Sequence, residues 1–135
     1  MGLLQKRVTV YKRRTNMNTI ETGSLLEEVA ARYLEKNNVL ILHRNFRCKL
    51  GEIDIIAKDH NDLIFTEVRY RKNATFGSAA ESVTLSKQQK IIRTAHFFVH
   101  TRNWAQNVNY RFDVLAISNS IESPTIEWIK DAFDA

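Results

Sequence analysis

Residues 51–72, GEIDIIAKDHNDLIFTEVRYRK, place two acids in the middle of two otherwise apolar strand-length segments. Gly51–Ala57 and Leu63–Tyr70 are rich in β-branched and aromatic residues, and the turn-forming run Asp59-His60-Asn61-Asp62 separates them. The spacing predicts an antiparallel hairpin. With the turn centred on His60–Asn61, Asp59 faces Asp62, Asp54 faces Glu67 and Glu52 faces Arg69. Alternation puts Glu52, Asp54 and Ile56 on one face with Phe65, Glu67 and Arg69, and Ile53, Ile55, Ile64 and Val68 on the other.

Opposed carboxylates would have Cβ atoms about 5 Å apart, where like charges destabilise a sheet. Three arrangements relieve that repulsion. The pair can share a proton, with one pKa raised. It can hold a hard divalent cation, Mg²⁺ or Mn²⁺, which takes carboxylate oxygen. Or Glu52, Arg69 and Lys72 can build a salt-bridge ladder around it.

Apolar positions Leu26, Val29, Ala30, Tyr33 and Leu34 recur at helical spacing, so Gly23–Lys36 is expected to be a helix, capped by Thr22 or Ser24 and ended by Asn37–Asn38. Glu27 falls at the edge of its apolar stripe and Glu28 on the far, wet side. Ile91, Ile92, Ala95, Phe98 and Val99 define a second helix over Ser86–Arg102, opened by a Ser86/Gln89 capping box. Lys87 sits in its first turn, where the helix dipole disfavours a cation and an anion would relieve it; a snorkelling lysine is the ordinary alternative. Val39–Leu42, Tyr110–Ile117 and Ile126–Ile129 are further strands, Pro124 lies in the linker before the last, and residues 73–84 are mostly loop. The order α-β-β-β-α-β-β suggests a mixed sheet with helices against it, an α/β or α+β sandwich.

At 135 residues and 44% hydrophobic content, the chain suits one globular domain with a real core. The net charge is +5, but residues 1–22 hold five bases against one acid. That segment reads as a basic N-terminal arm preceding a single domain at 23–135, or in part as residues ahead of a start at Met17. Residues 44–102 carry eleven bases and six acids, while residues 111–135 carry two bases and five acids. A basic middle suits an anionic partner such as nucleic acid. One cysteine excludes an internal disulfide, no apolar run reaches the roughly 20 residues of a membrane span, and no secretory signal is visible; a cytoplasmic protein without membrane attachment is expected.

The helix acid, GEID, FTEVRYR, FGSAAESV, the Ser86-Lys87 helix start and RFDV together resemble the uncharacterised bacterial YraN-like family over residues 23–118. That family is similar to the restriction-endonuclease-like superfamily, near the archaeal Holliday-junction resolvases. The resemblance implies an α/β restriction-endonuclease-like core, a mixed central sheet flanked by helices, and a homodimer. It implies a Mg²⁺- or Mn²⁺-dependent DNA endonuclease, acting on branched or damaged DNA. Asp54 would be the metal-binding acid, Glu67 the acid of the superfamily's E-x-K pattern, and Glu27 the extra helical acid. Arg69 stands where that pattern has lysine. Arginine keeps the charge but cannot serve as a base, with a pKa above about 12. The alternatives are therefore a nucleic-acid-binding module that lost turnover, with Lys72 or Lys87 as replacement lysines if it did not, and a protein-interaction subunit using the acidic end. Arg71, Lys72, Lys87, Lys90 and Arg93 would bind the flanking phosphates.

Weaker features favour structural roles. His96 and His100 have a spacing that zinc uses but no accompanying glutamate motif. Cys48 lies between Arg47 and Lys49 without a catalytic partner. Trp104 and Trp128 could stack bases, though packing is the default. Asp113 is expected to pair with Arg111 near a strand end.

Overall fold

The architecture follows from one hairpin and one crossover. A computed structural model describes residues 19–71, 82–102 and 108–135. The elements are α1 (Thr19–Lys36), β1 (Leu40–Cys48), β2 (Gly51–Asp59), β3 (Asp62–Arg71), α2 (Leu85–Thr101), β4 (Tyr110–Asn119) and β5 (Pro124–Phe133). This is the α-β-β-β-α-β-β order read from the sequence.

The strands form one five-stranded sheet in the order β1-β2-β3-β4-β5. All neighbours are antiparallel except β3 and β4, which are parallel. A parallel pair needs a long crossover, and the segment containing α2 supplies it.

The two helices cover opposite faces of the sheet. Under α2, its Ile91, Ala95, Phe98 and Val99 pack with Phe46, Ile53, Ile56, Phe65, Phe112 and Val114. Under α1, its Val29, Ala30 and Leu34 pack with Ile55, Ala57, Ile64, Leu115 and Ile117. The molecule is thus a three-layer α/β/α sandwich whose central strands are buried on both faces.

Several boundaries differ from the sequence expectation. Residues 19–22, read with the basic arm, form the first turn of α1, so Thr22 and Ser24 lie inside the helix instead of capping it. No proline stops the helix there, and Gly23 costs only about 1 kcal/mol. Its end is as expected: Asn38 adopts φ 64°, and the Val39 amide returns to the Leu34 carbonyl at 3.0 Å. The cap of α2 is Thr84, whose Oγ1 accepts from the Lys87 amide at 3.2 Å; Ser86 is already helical. Buried Val83 anchors the chain one residue before that cap.

The edge strands β1 and β5 are longer than their apolar cores, because main-chain pairing with β2 and β4 carries them through polar residues. Pro124 opens β5 instead of preceding it, a position where a missing N–H is tolerated. At the β1–β2 turn, Gly51 has φ 152° and lies against α2. A Cβ there would stand 2.9 Å from Thr94 Oγ1, so only glycine lets the hairpin close onto the helix. Among the described residues, no helix is long and apolar enough to cross a membrane.

Candidate active site

The predicted hairpin register holds from Asp59–Asp62 through Ile55–Thr66. The main-chain pairing ends at Ile55, one residue short of Asp54. Its Oδ2 accepts the Val68 amide at 2.8 Å, so a side chain replaces the next main-chain bond. Alternation also breaks at Asp54. Ile53 packs in the cluster under α2, whereas Ile55 packs under α1, so the expected pairing of Ile53 with Ile55 on one face fails.

Asp54 and Glu67 are brought together as the register implied. Glu67 is buried, 6% exposed, and its only described cations stand back from it: Arg69 Nη1 is 3.6 Å and Lys87 Nζ 3.9 Å from Oε2. Those distances give Coulomb attraction without a good hydrogen bond. Arg69 is held by donating through Nη2 to the Ser82 carbonyl at 3.1 Å. Burial pushes the Asp54 carboxyl up to about 7, and the adjacent Glu67 charge and hydrogen bond add to the rise. The Val68 amide and Lys87 oppose it. A raised Asp54 carboxyl is the response expected of the first of the three arrangements for opposed acids.

The salt-bridge ladder is only partly realised. Glu52 pairs with Arg47 across the β1–β2 hairpin, Nε to Oε2 3.3 Å, and not with Arg69, because β2 turns over at Asp54. Lys72 lies outside the described residues. Lys87 is half-buried with its ammonium on the Glu67 side, so the anion nearest the start of α2 is the protein's own carboxylate.

Glu27 reaches the site from α1. Its Oε2 accepts from Asn45 Nδ2 at 2.9 Å. Burial raises its pKa, the Asp54 and Glu52 charges raise it further, and Asn45 and Arg44 hold it back. Glu28 is not on a wet face: it binds Arg32 Nε at 3.0 Å and Arg44 Nη1 at 2.8 Å, tying α1 to β1. Among the described residues, no group of three or more His, Cys, Asp or Glu side chains is gathered closely enough to hold a metal ion. Asp54 and Glu67 form a pair, with Glu27 turned to Asn45.

The remaining predicted residues divide. Lys90 and Arg93 are exposed on α2, Arg71 is half-buried at the end of β3, and the Trp104 and FGSAAE positions lie outside the described residues. The zinc spacing comes to nothing structurally: His100 Nδ1 is 2.8 Å from the His96 carbonyl, and His96 packs against Tyr110. Cys48 Sγ accepts from the Leu50 amide at 3.4 Å.

Asp113 pairs with Arg111 as expected, but it is fully buried and not at a strand end. It also accepts from Trp128 Nε1 at 2.8 Å and the Asp131 amide at 2.9 Å. Arg111 spans to Asp59 and Asp62 at the hairpin turn, at 2.8 and 2.9 Å. These acids are spent inside the fold, and Trp128, edge-on to Tyr33 and beneath Lys130, is a packing residue.

Asn45, Arg44 and Ser82 were missed by sequence reasoning. The strand containing Asn45 was expected to end at Leu42, so the residue belonged to no element; a polar residue across from Asp54 was the signal available once β1 was extended.

Fold and site together define a three-layer α/β domain with a buried carboxylate pair at a hairpin, faced by cations from β3 and α2. The chain belongs to the uncharacterised protein family UPF0102, whose profile matches residues 26–117; this is the YraN-like family of the sequence resemblance. It is 44% identical over 119 residues to a UPF0102 protein of Caldicellulosiruptor saccharolyticus, covering 87% of this chain and 100% of that protein. It is 47% identical to one from Saccharophagus degradans over 113 residues, 84% of this chain and 92% of the relative. A Vibrio campbellii relative is 39% identical over 133 residues, covering 98% and 97%.

Proposed function

We propose that the protein is a Mg²⁺- or Mn²⁺-dependent DNA endonuclease with a restriction-endonuclease-like core, acting on branched or damaged DNA. One observation carries this reading: Asp54 and Glu67 are held together at a cost visible in the Asp54 carboxyl, pushed up to about 7. Acids buried beside a like charge gather at functional sites.

The donor set fits a hard divalent cation, since both groups offer carboxylate oxygen and a cation would relieve their like charge. Asp54 and Glu67 would hold it, with Glu27 held by Asn45 at the edge of the site, and when bound it would supply an activated water and charge stabilisation for phosphodiester hydrolysis. The chain's own groups do the rest. Arg69, fixed to the Ser82 carbonyl, offers its guanidinium to a phosphate. Lys87 adds a second positive charge on the same side of Glu67. The segment Leu85–Thr101 contains Lys87, Lys90 and Arg93 and no acid, so α2 presents a basic surface for the flanking backbone.

The test is cleavage of linear, nicked, flapped and four-way DNA by pure protein with Mg²⁺ or Mn²⁺. Cleavage abolished by Asp54→Ala and by Glu67→Ala is the expected result. No cutting of any substrate, or cutting unchanged in both variants, overturns it.

Arg69 in the lysine position favours a second reading, a binding module of the same fold without turnover. It predicts salt-dependent DNA affinity without cleavage, and Arg69→Lys restoring cleavage would identify a degraded enzyme.

A further inference from the structure

Asn45 is a non-glycine residue in the left-handed region, φ 53°, in the middle of β1. Its position is set by the pairs on either side, Arg44–Ile55 and Phe46–Ile53, which leave it across from Asp54. In a regular strand, adjacent side chains point to opposite faces. Here Arg44 and Asn45 both reach α1. Arg44 Nη1 bonds Glu28 Oε2 at 2.8 Å, and Asn45 Nδ2 bonds Glu27 Oε2 at 2.9 Å. Two consecutive strand residues thus grip two consecutive helix acids, and the left-handed turn at Asn45 is what lets the second do so. Asparagine tolerates that backbone better than other side-chain-bearing residues, though still at a cost. Backbone strain at such a position is characteristic of sites where a side chain must be held. Asn45 is also the group that donates to Glu27, while its acidic neighbours Asp54 and Glu52 repel it.

From this geometry we infer that Asn45 is a positioning residue of the acid site: the strand break aims its amide at Glu27 and fixes that carboxylate at the α1 edge of the site. The inference rests on the reading of Asp54 and Glu67 as a cation site, and it gives Glu27 a defined orientation within it. Attachment of α1 to β1 does not need this bond, because Arg44–Glu28 already provides it.

The experiment is a Mn²⁺ titration of the full chain by electron paramagnetic resonance, with DNA cleavage as a second readout. Asn45→Gly keeps the left-handed backbone and removes the amide. Glu27→Gln keeps the hydrogen-bond acceptor and removes the charge. Asn45→Gly is expected to weaken Mn²⁺ binding about 10-fold, the usual loss when a group that orients an acid of the site is removed. The double variant is expected to bind no more weakly than Glu27→Gln alone, because Asn45 acts through Glu27. Arg44→Ala, which loosens α1 and leaves the Asn45–Glu27 bond in place, is expected to lower the melting temperature and to weaken Mn²⁺ binding less than Asn45→Gly does. Wild-type affinity in Asn45→Gly, or losses that add fully in the double variant, would overturn the proposal while leaving the Asp54–Glu67 reading in place. A wild-type protein that binds no Mn²⁺, or an Asp54→Asn variant that binds it normally, would overturn that reading and this inference with it.

Discussion

At the scale of single residues, the site is governed by where a proton rests. Asp54 and Glu67 cannot both ionise freely when buried beside each other, and the Asp54 carboxyl is raised from 3.8 to about 7. Between those values the folded protein holds more protons than the unfolded chain. Stability therefore falls as pH rises through that window and is lowest above it. Asp54→Asn mimics the protonated acid: its amide oxygen can take the Val68 N–H, and its NH₂ can face Glu67. Urea denaturation at pH 8 is expected to find this variant more stable by about 1–3 kcal/mol, with a flatter profile from pH 4 to 7 than wild type. Gain of stability on removing a buried acid that faces a like charge is the ordinary outcome at a strained position.

Elements meet at two polar knots, one at each end of the β2–β3 hairpin. The acid site lies at one. At the other, Arg111 of β4 binds Asp59 and Asp62 of the turn and Asp113 of its own strand, while the Asp131 amide and Trp128 of β5 join Asp113. Three elements share one guanidinium. Arg111 holds the Asp59 carboxyl down to about 2 despite its burial, helped by His60 and Lys130. That contribution is complete above the ordinary carboxylate value and is lost as pH falls toward 2. Arg111→Ala leaves Asp113 buried without its main partner, and chemical denaturation is expected to show a loss of about 3–5 kcal/mol. The hairpin register was legible because both turn and apolar alternation fixed it. The knot was legible only as a pair, Arg111 with Asp113, because Asp59, Asp62, Trp128 and Asp131 reach it through strand order.

Across the whole molecule, charge is sorted by surface. The acid-free α2 carries Lys90 and Arg93 outward, while most acids of the hairpin turn and β4 are neutralised internally. The whole-chain +5 says little; the basic helix beside the acid pair says more. If this face follows a phosphate backbone, Lys90→Ala and Arg93→Ala should each reduce the slope of log affinity against log salt by about 1. Fluorescence anisotropy on duplex DNA at a series of salt concentrations measures it, and unchanged slopes in both variants would place the contact elsewhere.

Local pattern determined the element order, the hairpin register and the meeting of Asp54 with Glu67, because turn chemistry and period-two alternation act within twenty residues of chain. It also marked Glu27 as an edge residue of its helix. Only tertiary structure decided that Glu52 turns to Arg47, that Lys87 answers Glu67 across the sheet face, and that Asn45 leaves regular strand geometry to hold Glu27. Each of these depends on which strands are neighbours and which face each helix covers. Such contacts join residues distant in sequence, and a break in alternation at one residue sets them, so no local periodicity carries their signature.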